Sequence, residues 1–192
     1  MRARRGKLAR IGAAAVIAVA VAAAVAAPAG AKTKTRTFSS DPINAAIVDA
    51  SLNLYPLKAT GKGKVKSLTV GVRIGHAFDS DLDLYLVSPR AQFVQLSTDN
   101  GGSGNDYGIG ATDCTGTFTV FDDAAATPIN AGPPTAVPPF AGSFKPQQPL
   151  SALKGARTKG RWQLMVSDDD ATVVGTQGCW QLTISSKVKK KR

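Results

Sequence analysis

The chain has 192 residues, with 24 Lys and Arg against 13 acidic residues, one His, a formal net charge of +11 and only 6% aromatic residues. The excess charge sits at the ends: residues 37–186 hold 11 basic residues against 13 Asp, so the body is slightly acidic. That distribution, with no aromatics interleaved among the basic residues, excludes a nucleic-acid-binding domain, and the complete absence of Glu points to turns and loops rather than to helices.

In chain order, Arg2, Arg4, Arg5, Lys7 and Arg10 precede an Ala-rich apolar run from Ile11 to Ala27, followed by Ala29-Gly30-Ala31. A charged start, an apolar middle and a small-residue cleavage site predict a secretory signal peptide over residues 1–31. Cleavage after Ala27 and retention as a membrane anchor are the alternatives. The run is short and weakly apolar for a span, and no other segment is apolar enough, so the processed chain is expected to have no transmembrane span. The expected location is secreted and extracellular, with cell-envelope association. Residues 32–42 are expected to be a flexible basic segment, 43–186 a single β domain, and 187–192 a basic tail. The tail is either solvated or attached to an anionic cell-envelope polymer.

Strand signals fill the body. Ala46–Val48 is short, Leu52–Leu57 alternates weakly, and Val65–Ile74 alternates with β-branched residues. Leu82–Val87 reads L-D-L-Y-L-V, which sends Leu82, Leu84 and Leu86 to one face. Phe93–Leu96 follows a Ser-Pro turn, and Thr115–Phe121 is strongly β-prone. Trp162–Val166 and Trp180–Ile184 repeat one pattern, and both Trp are expected in the core. Gly, Pro, Asn and Asp separate the runs, as turns require. Many short strands without helical periodicity predict an all-β sandwich or jelly roll, mainly antiparallel. Two spacers are longer: Gly-rich Asn100–Gly110, and Ala124–Pro149, which carries seven of the eleven prolines and is either ordered or mobile.

Cys114 and Cys179 are the two cysteines. Export and an even count predict one disulfide, with free buried thiols as the alternative. Asp79, Asp81 and Asp83 stand at every second position, and Asp122-Asp123 and Asp168-Asp169-Asp170 follow other strand ends. If those ends meet, the carboxylates repel unless a hard cation such as Ca²⁺ sits among them. The candidate calcium ligands are Asp79, Asp81, Asp83, Asp122, Asp123 and Asp168. The alternative is that these residues cap turns. No EF-hand spacing is present. His76, the single His, could serve a hydrolase with Ser80 or Ser88, but no nucleophile elbow exists. It is expected to end a strand and pack or hydrogen-bond there.

Six pieces then stand in one order. His76 and Asp81–Leu84 with Ser88-Pro89 come first; a Gly-rich loop and Phe121–Ala125 follow. Pro139–Phe144 with Pro146 and Pro149–Ser151 come next, then Gly160–Asp168 and Gly175–Ile184. Over about Val65 to Ser185 this order resembles the P domain, or homo B domain, of proprotein convertases and bacterial subtilisin-like serine proteases. The resemblance implies a jelly-roll sandwich of galactose-binding-like type that stabilises a protease, with calcium and pH dependence. Some bacterial versions are similar to binding modules standing apart from a protease. Arg90-Ala91 replace the Gly that usually follows Ser-Pro in the family, so the turn there can differ. No catalytic domain accompanies the match. The expected function is therefore a non-catalytic module that contacts a protein, a protease in trans, or an anionic cell-envelope polymer. The alternatives are a serine-type endopeptidase and an adhesive or structural envelope protein.

Overall fold

The computed structural model describes residues 32–110 and 113–188. The expected signal peptide, 1–31, and the last four tail residues lie outside the described residues. The described chain forms ten strands: β1 (Lys32–Ser39), β2 (Ala45–Ile47), β3 (Ser51–Ala59), β4 (Lys64–Gly75), β5 (Leu82–Val87), β6 (Phe93–Ser97), β7 (Thr119–Phe121), β8 (Gly142–Phe144), β9 (Gly160–Asp168) and β10 (Gly175–Val188). One sheet runs β1-β10-β4-β7-β8, with β2 also paired to β10; the other runs β3-β9-β5-β6. Pairing is antiparallel except between β7 and β8.

Alternation builds both inner faces. Leu82, Leu84 and Leu86 of β5 are fully buried, as are Trp162, Leu164 and Val166 of β9. In the facing sheet Trp180 and Leu182 of β10 and Val70 and Val72 of β4 are also at 0% exposure. In β4, Val65 and Leu68 are both buried although they differ in parity. A register shift between Ser185 and Ser186 of β10 places Lys66 as the extra residue of a bulge, which lets both apolar side chains turn inward.

Three expectations are corrected. The segment expected to be flexible, 32–42, contains β1, which pairs with Val188–Gln181 over eight positions. Hydroxyl pairs Thr35–Ser185 and Thr37–Thr183, 2.7 and 2.8 Å, line that pairing. Lys187 and Val188, expected in the tail, belong to β10. The β-prone stretch from Thr115 becomes strand only at Thr119. The Pro-rich excursion is ordered: it contributes β8 and buries Ile129, Phe140 and Phe144 in the common core. The Cys114–Cys179 disulfide is formed and ties the loop before β7 to β10. The turn after Ser88-Pro89 closes with Ser88 N–H donating to Gln92 O at 2.7 Å and places Ala91 at φ 58°. A Gly at that position would adopt the angle with less strain.

Register fixes which ends share a neighbourhood. Ser51 of β3 pairs with Asp168 at the end of β9, and Ala59 pairs with Gly160 at its start. Leu82 of β5 also pairs with Asp168. One end of the sandwich therefore gathers residues 76–83 and 168–175; the other gathers 58–64, 157–161 and 187. At about 3.4 Å per residue the two ends are roughly 27 Å apart.

Leu84→Ala should destabilise the fold by about 2–5 kcal/mol in urea unfolding, while Leu54→Ala, on the outer face of β3, should stay within about 0.5 kcal/mol. Replacing both cysteines by Ser should lower stability by roughly 2–4 kcal/mol, since the crosslink closes a long loop.

Candidate functional site

At the end of the sandwich where β4 stops, the chain places its only His. His76 is buried, and its side chain and that of Asp168 are both at 0% exposure. Nε2 faces two acceptors, Asp168 Oδ2 at 3.2 Å and Val173 O at 3.0 Å, so this nitrogen carries a proton. Nδ1 lies between the carbonyl and the N–H of Phe78, at 2.7 and 3.2 Å. Among the described residues, neither ring nitrogen bonds to a Ser, Thr or Cys side chain. Ser80 Oγ donates instead to Asp81 Oδ1 at 3.2 Å. Ser88 lies beyond the far end of β5, where its Oγ accepts the Gln92 N–H at 3.2 Å. The ring thus pins the 169–174 loop to the end of β4. A base that activates a nucleophile needs an accessible nitrogen beside it, and this geometry offers none.

The every-second spacing of Asp79, Asp81 and Asp83 does not continue as strand ahead of Leu82. The segment Asp79–Asp81 is instead a 3-10 turn, so Asp79 leaves the strand alternation and is fully buried. The Gly-rich loop folds over it. Asp79 N–H donates to Gly104 O at 2.9 Å, and Asp79 Oδ1 accepts from the Asp106 N–H at 3.0 Å. Gly101, at φ 94°, approaches so closely that a Cβ would lie 2.8 Å from the Asp79 Cβ. Asp79 Oδ2 is buried without a hydrogen-bond partner. Burial foremost, with Asp106 and Asp81 adding repulsion against the Asp106 hydrogen bond, pushes the Asp79 carboxyl up to about 8. Burial also raises Asp168, against the opposing pull of His76. Asp83 is raised by partial burial, then by Asp99 and Asp169; its Oδ2 accepts from the Tyr85 hydroxyl at 3.4 Å.

The remaining candidates lie apart. Asp122 Oδ1 accepts the Ala124 N–H at 2.9 Å, closing a turn. Asp123 accepts the N–H groups of Leu150 and Ser151 at 2.7 and 2.8 Å, which caps the 3-10 turn Leu150–Leu153. The structure thus brings Asp79, Asp81, Asp83 and Asp168 to one end and assigns Asp122 and Asp123 to turns elsewhere. Among the described residues, no three His, Cys, Asp or Glu side chains are grouped to hold a metal ion.

Sequence reasoning missed Asp106. Its Oδ1 accepts the His76 N–H at 3.0 Å while its own N–H serves Asp79, so it joins the His76 and Asp79 clusters. The only signal was an Asp inside the Gly-rich loop, where Asp commonly bonds nearby backbone.

No family model matches the chain, and no curated protein matches it. Two solved structures are similar at the level of the backbone. The Aeromonas sobria serine protease in complex with its chaperone aligns with a TM-score of 0.49 and 14% identity, covering 82% of this chain and 27% of that one. The Aeromonas sobria serine protease alone aligns at 0.47 and 15%, covering 81% and 27%. The chain therefore spans about a quarter of the length of each. No activity, substrate or partner passes to it from them.

The raised Asp79 carboxyl predicts a pH dependence with a definite sign. The unfolded chain releases this proton near pH 4, and the fold holds it to about 8. Between those values the native state carries the extra proton, so stability falls as pH rises. The melting midpoint should drop between pH 5 and 8, with Asp168 contributing in the same direction. Asp79→Asn should flatten most of that drop and stabilise the protein at pH 8 by a few kcal/mol.

Proposed function

We propose that the chain is a non-catalytic interaction module of the P-domain kind, exported and acting by contact with a protein partner, foremost a subtilisin-like protease supplied in trans. The observation that carries this reading is the state of His76. Its ring sits in the interior, bound to Asp168 and to the backbone of Phe78 and Val173, so the chain's one imidazole is a fastener rather than a base.

The same end offers a contact surface. Gly175 pairs with Ile47 across β10 and β2, which sets Val174 beside Val48. These two are 71% and 56% exposed, and Leu52 near the start of β3 is 57% exposed. Phe78, on the His76 turn, is 42% exposed. Exposed apolar residues gathered beside carboxylates suit a protein interface with an apolar centre and a polar rim. Loop ends of sandwiches are common places for such contacts.

Calcium, which the family resemblance implies, would act in this reading at the acidic end. There it would compete with the proton that burial favours on Asp79. A melting midpoint that rises in calcium and falls back with chelator would support this part of the reading; an unchanged midpoint in excess calcium would remove it.

The purified protein should stay unlabelled by a fluorophosphonate serine probe under conditions that label a subtilisin; labelling would establish the endopeptidase alternative. Immobilised protein should retain a subtilisin-like protease from culture medium of its source. Leu52→Asp with Val174→Asp should reduce that capture at least tenfold while leaving the melting midpoint within about 2 °C. Undiminished capture by the double variant would remove this end as the contact.

A further inference from the structure

The end opposite His76 carries cations set side by side without acids. In the backbone register Lys187 of β10 pairs directly with Lys64 of β4, and Lys64 bridges in turn to Arg157. Three cations therefore stand next to one another on three adjacent segments, at strand spacings of about 4.8 Å. In the other sheet Lys58 of β3 pairs directly with Arg161 of β9. Like charges directly opposite each other destabilise a sheet, so the fold accepts repulsion twice in one neighbourhood. All of these side chains are exposed, and so is Lys159. None of them takes part in an ion pair among the described residues. The stretches 58–66, 87–93 and 154–161 contain no Asp at all. Asp79, Asp81, Asp83 and Asp168–Asp170 lie at the other end, roughly 27 Å away and beyond several Debye lengths at physiological salt; Asp122 and Asp123, after Phe121 opposite Val70, lie between the ends and are engaged by backbone N–H groups.

The charges line two adjoining grooves. One, of about 530 Å³, is walled by Gly61–Lys64, Arg157, Lys159, Lys187 and Val188. The other, of about 430 Å³, is walled by Pro56, Lys58, Ala59, Lys159, Gly160 and Arg161. Lys159 is common to both, so the path is continuous from Arg161 to Lys187 across the end of the sandwich. Gly63, at φ 103°, keeps the floor low: a Cβ there would lie 2.3 Å from the Lys187 carbonyl oxygen.

We propose that this groove binds a linear polymer carrying closely spaced phosphate groups. Cations at strand spacing match repeated charges along a chain rather than a single ion, and Arg and Lys together supply forked and point-charge contacts to phosphate oxygens. The apolar wall residues are Pro56, Ala59 and Val188, none of them a bulky side chain of the kind that interfacial binders insert into a lipid surface. No aromatic lines it, so nothing would stack on nucleic-acid bases. The proposal is independent of the partner reading, which concerns the opposite end.

The test uses the full secreted chain and long-chain inorganic polyphosphate, titrated at 50 mM and 200 mM salt. Binding should be present at 50 mM salt and fall at least tenfold at 200 mM. The variant Lys64→Gln, Arg157→Gln, Lys187→Gln should bind at least tenfold more weakly, and its melting midpoint at low salt should equal or exceed that of the parent, because the repulsion is gone. Lys58→Gln with Arg161→Gln should behave in the same way. Neutralising the tail with K189Q, K190Q, K191Q and R192Q should retain most of the affinity. Monomeric phosphate at equal phosphate concentration, phosphatidylglycerol vesicles and a single-stranded DNA oligonucleotide should each bind more weakly than polyphosphate. Parent-like binding by the groove variants, loss of binding on tail neutralisation alone, or tighter binding to any of the other three probes would overturn the proposal.

Discussion

The structure depends on one constraint: two central strands, β9 and β10, must each turn every second side chain into a single shared interior. Trp162 and Trp180 each begin an apolar alternation in these strands, and both are fully buried. Their neighbours on each side, β3 and β5 in one sheet and β1 and β4 in the other, have paired partners only because this alternation keeps the register. A slip of one residue in β9 would expose Trp162, Leu164 and Val166 together. The charged and polar residues are thereby left to the outer faces and the two ends, where their arrangement is free of packing demands.

The two ends use that freedom differently. At one, carboxylates lie near or within the interior and are handled individually: Asp168 by His76, Asp79 by the Gly-rich loop and Asp106, Asp81 and Asp83 by neighbouring hydroxyls. Burial raises the proton affinity of Asp79, Asp83 and Asp168, and the loops at this end carry the exposed Phe78 and Val174. At the other end the cations are exposed, without an ion pair among the described residues, and in register with one another. A fold stabilised by its core tolerates such repulsion because each exposed contact is worth only a few tenths of a kcal/mol to about 1 kcal/mol. An end that holds charge without counter-charge is physically suited to a partner that brings it.

Much of the core was legible from alternation alone. Leu82, Leu84 and Leu86 and the two Trp strands follow from period and residue type, and the Cys114–Cys179 pairing from there being two cysteines. β1 was not legible, because K-T-K-T-R-T-F-S has almost no apolar face; its pairing is set by β10 and by hydroxyls matched across the strands. β8 was hidden in the Pro-rich excursion, where Gly142–Phe144 is too short to show a period. The D-x-D-x-D spacing did not show the local geometry, since a single 3-10 turn ahead of β5 holds Asp79 and Asp81, sends Asp79 inward and leaves only Asp83 in the strand. The basic end was invisible for a different reason. Its residues come from three separate stretches, 58–64, 157–161 and 187, and their adjacency exists only in the cross-strand register.

Amide hydrogen exchange, followed residue by residue, tests the central constraint most directly. The account predicts that the slowest amides lie in β9, β10 and the facing parts of β4 and β5, and that they exchange together at the limit set by global unfolding. Rapid exchange throughout β9 or β10, with the slowest amides in the 124–149 excursion instead, would contradict it.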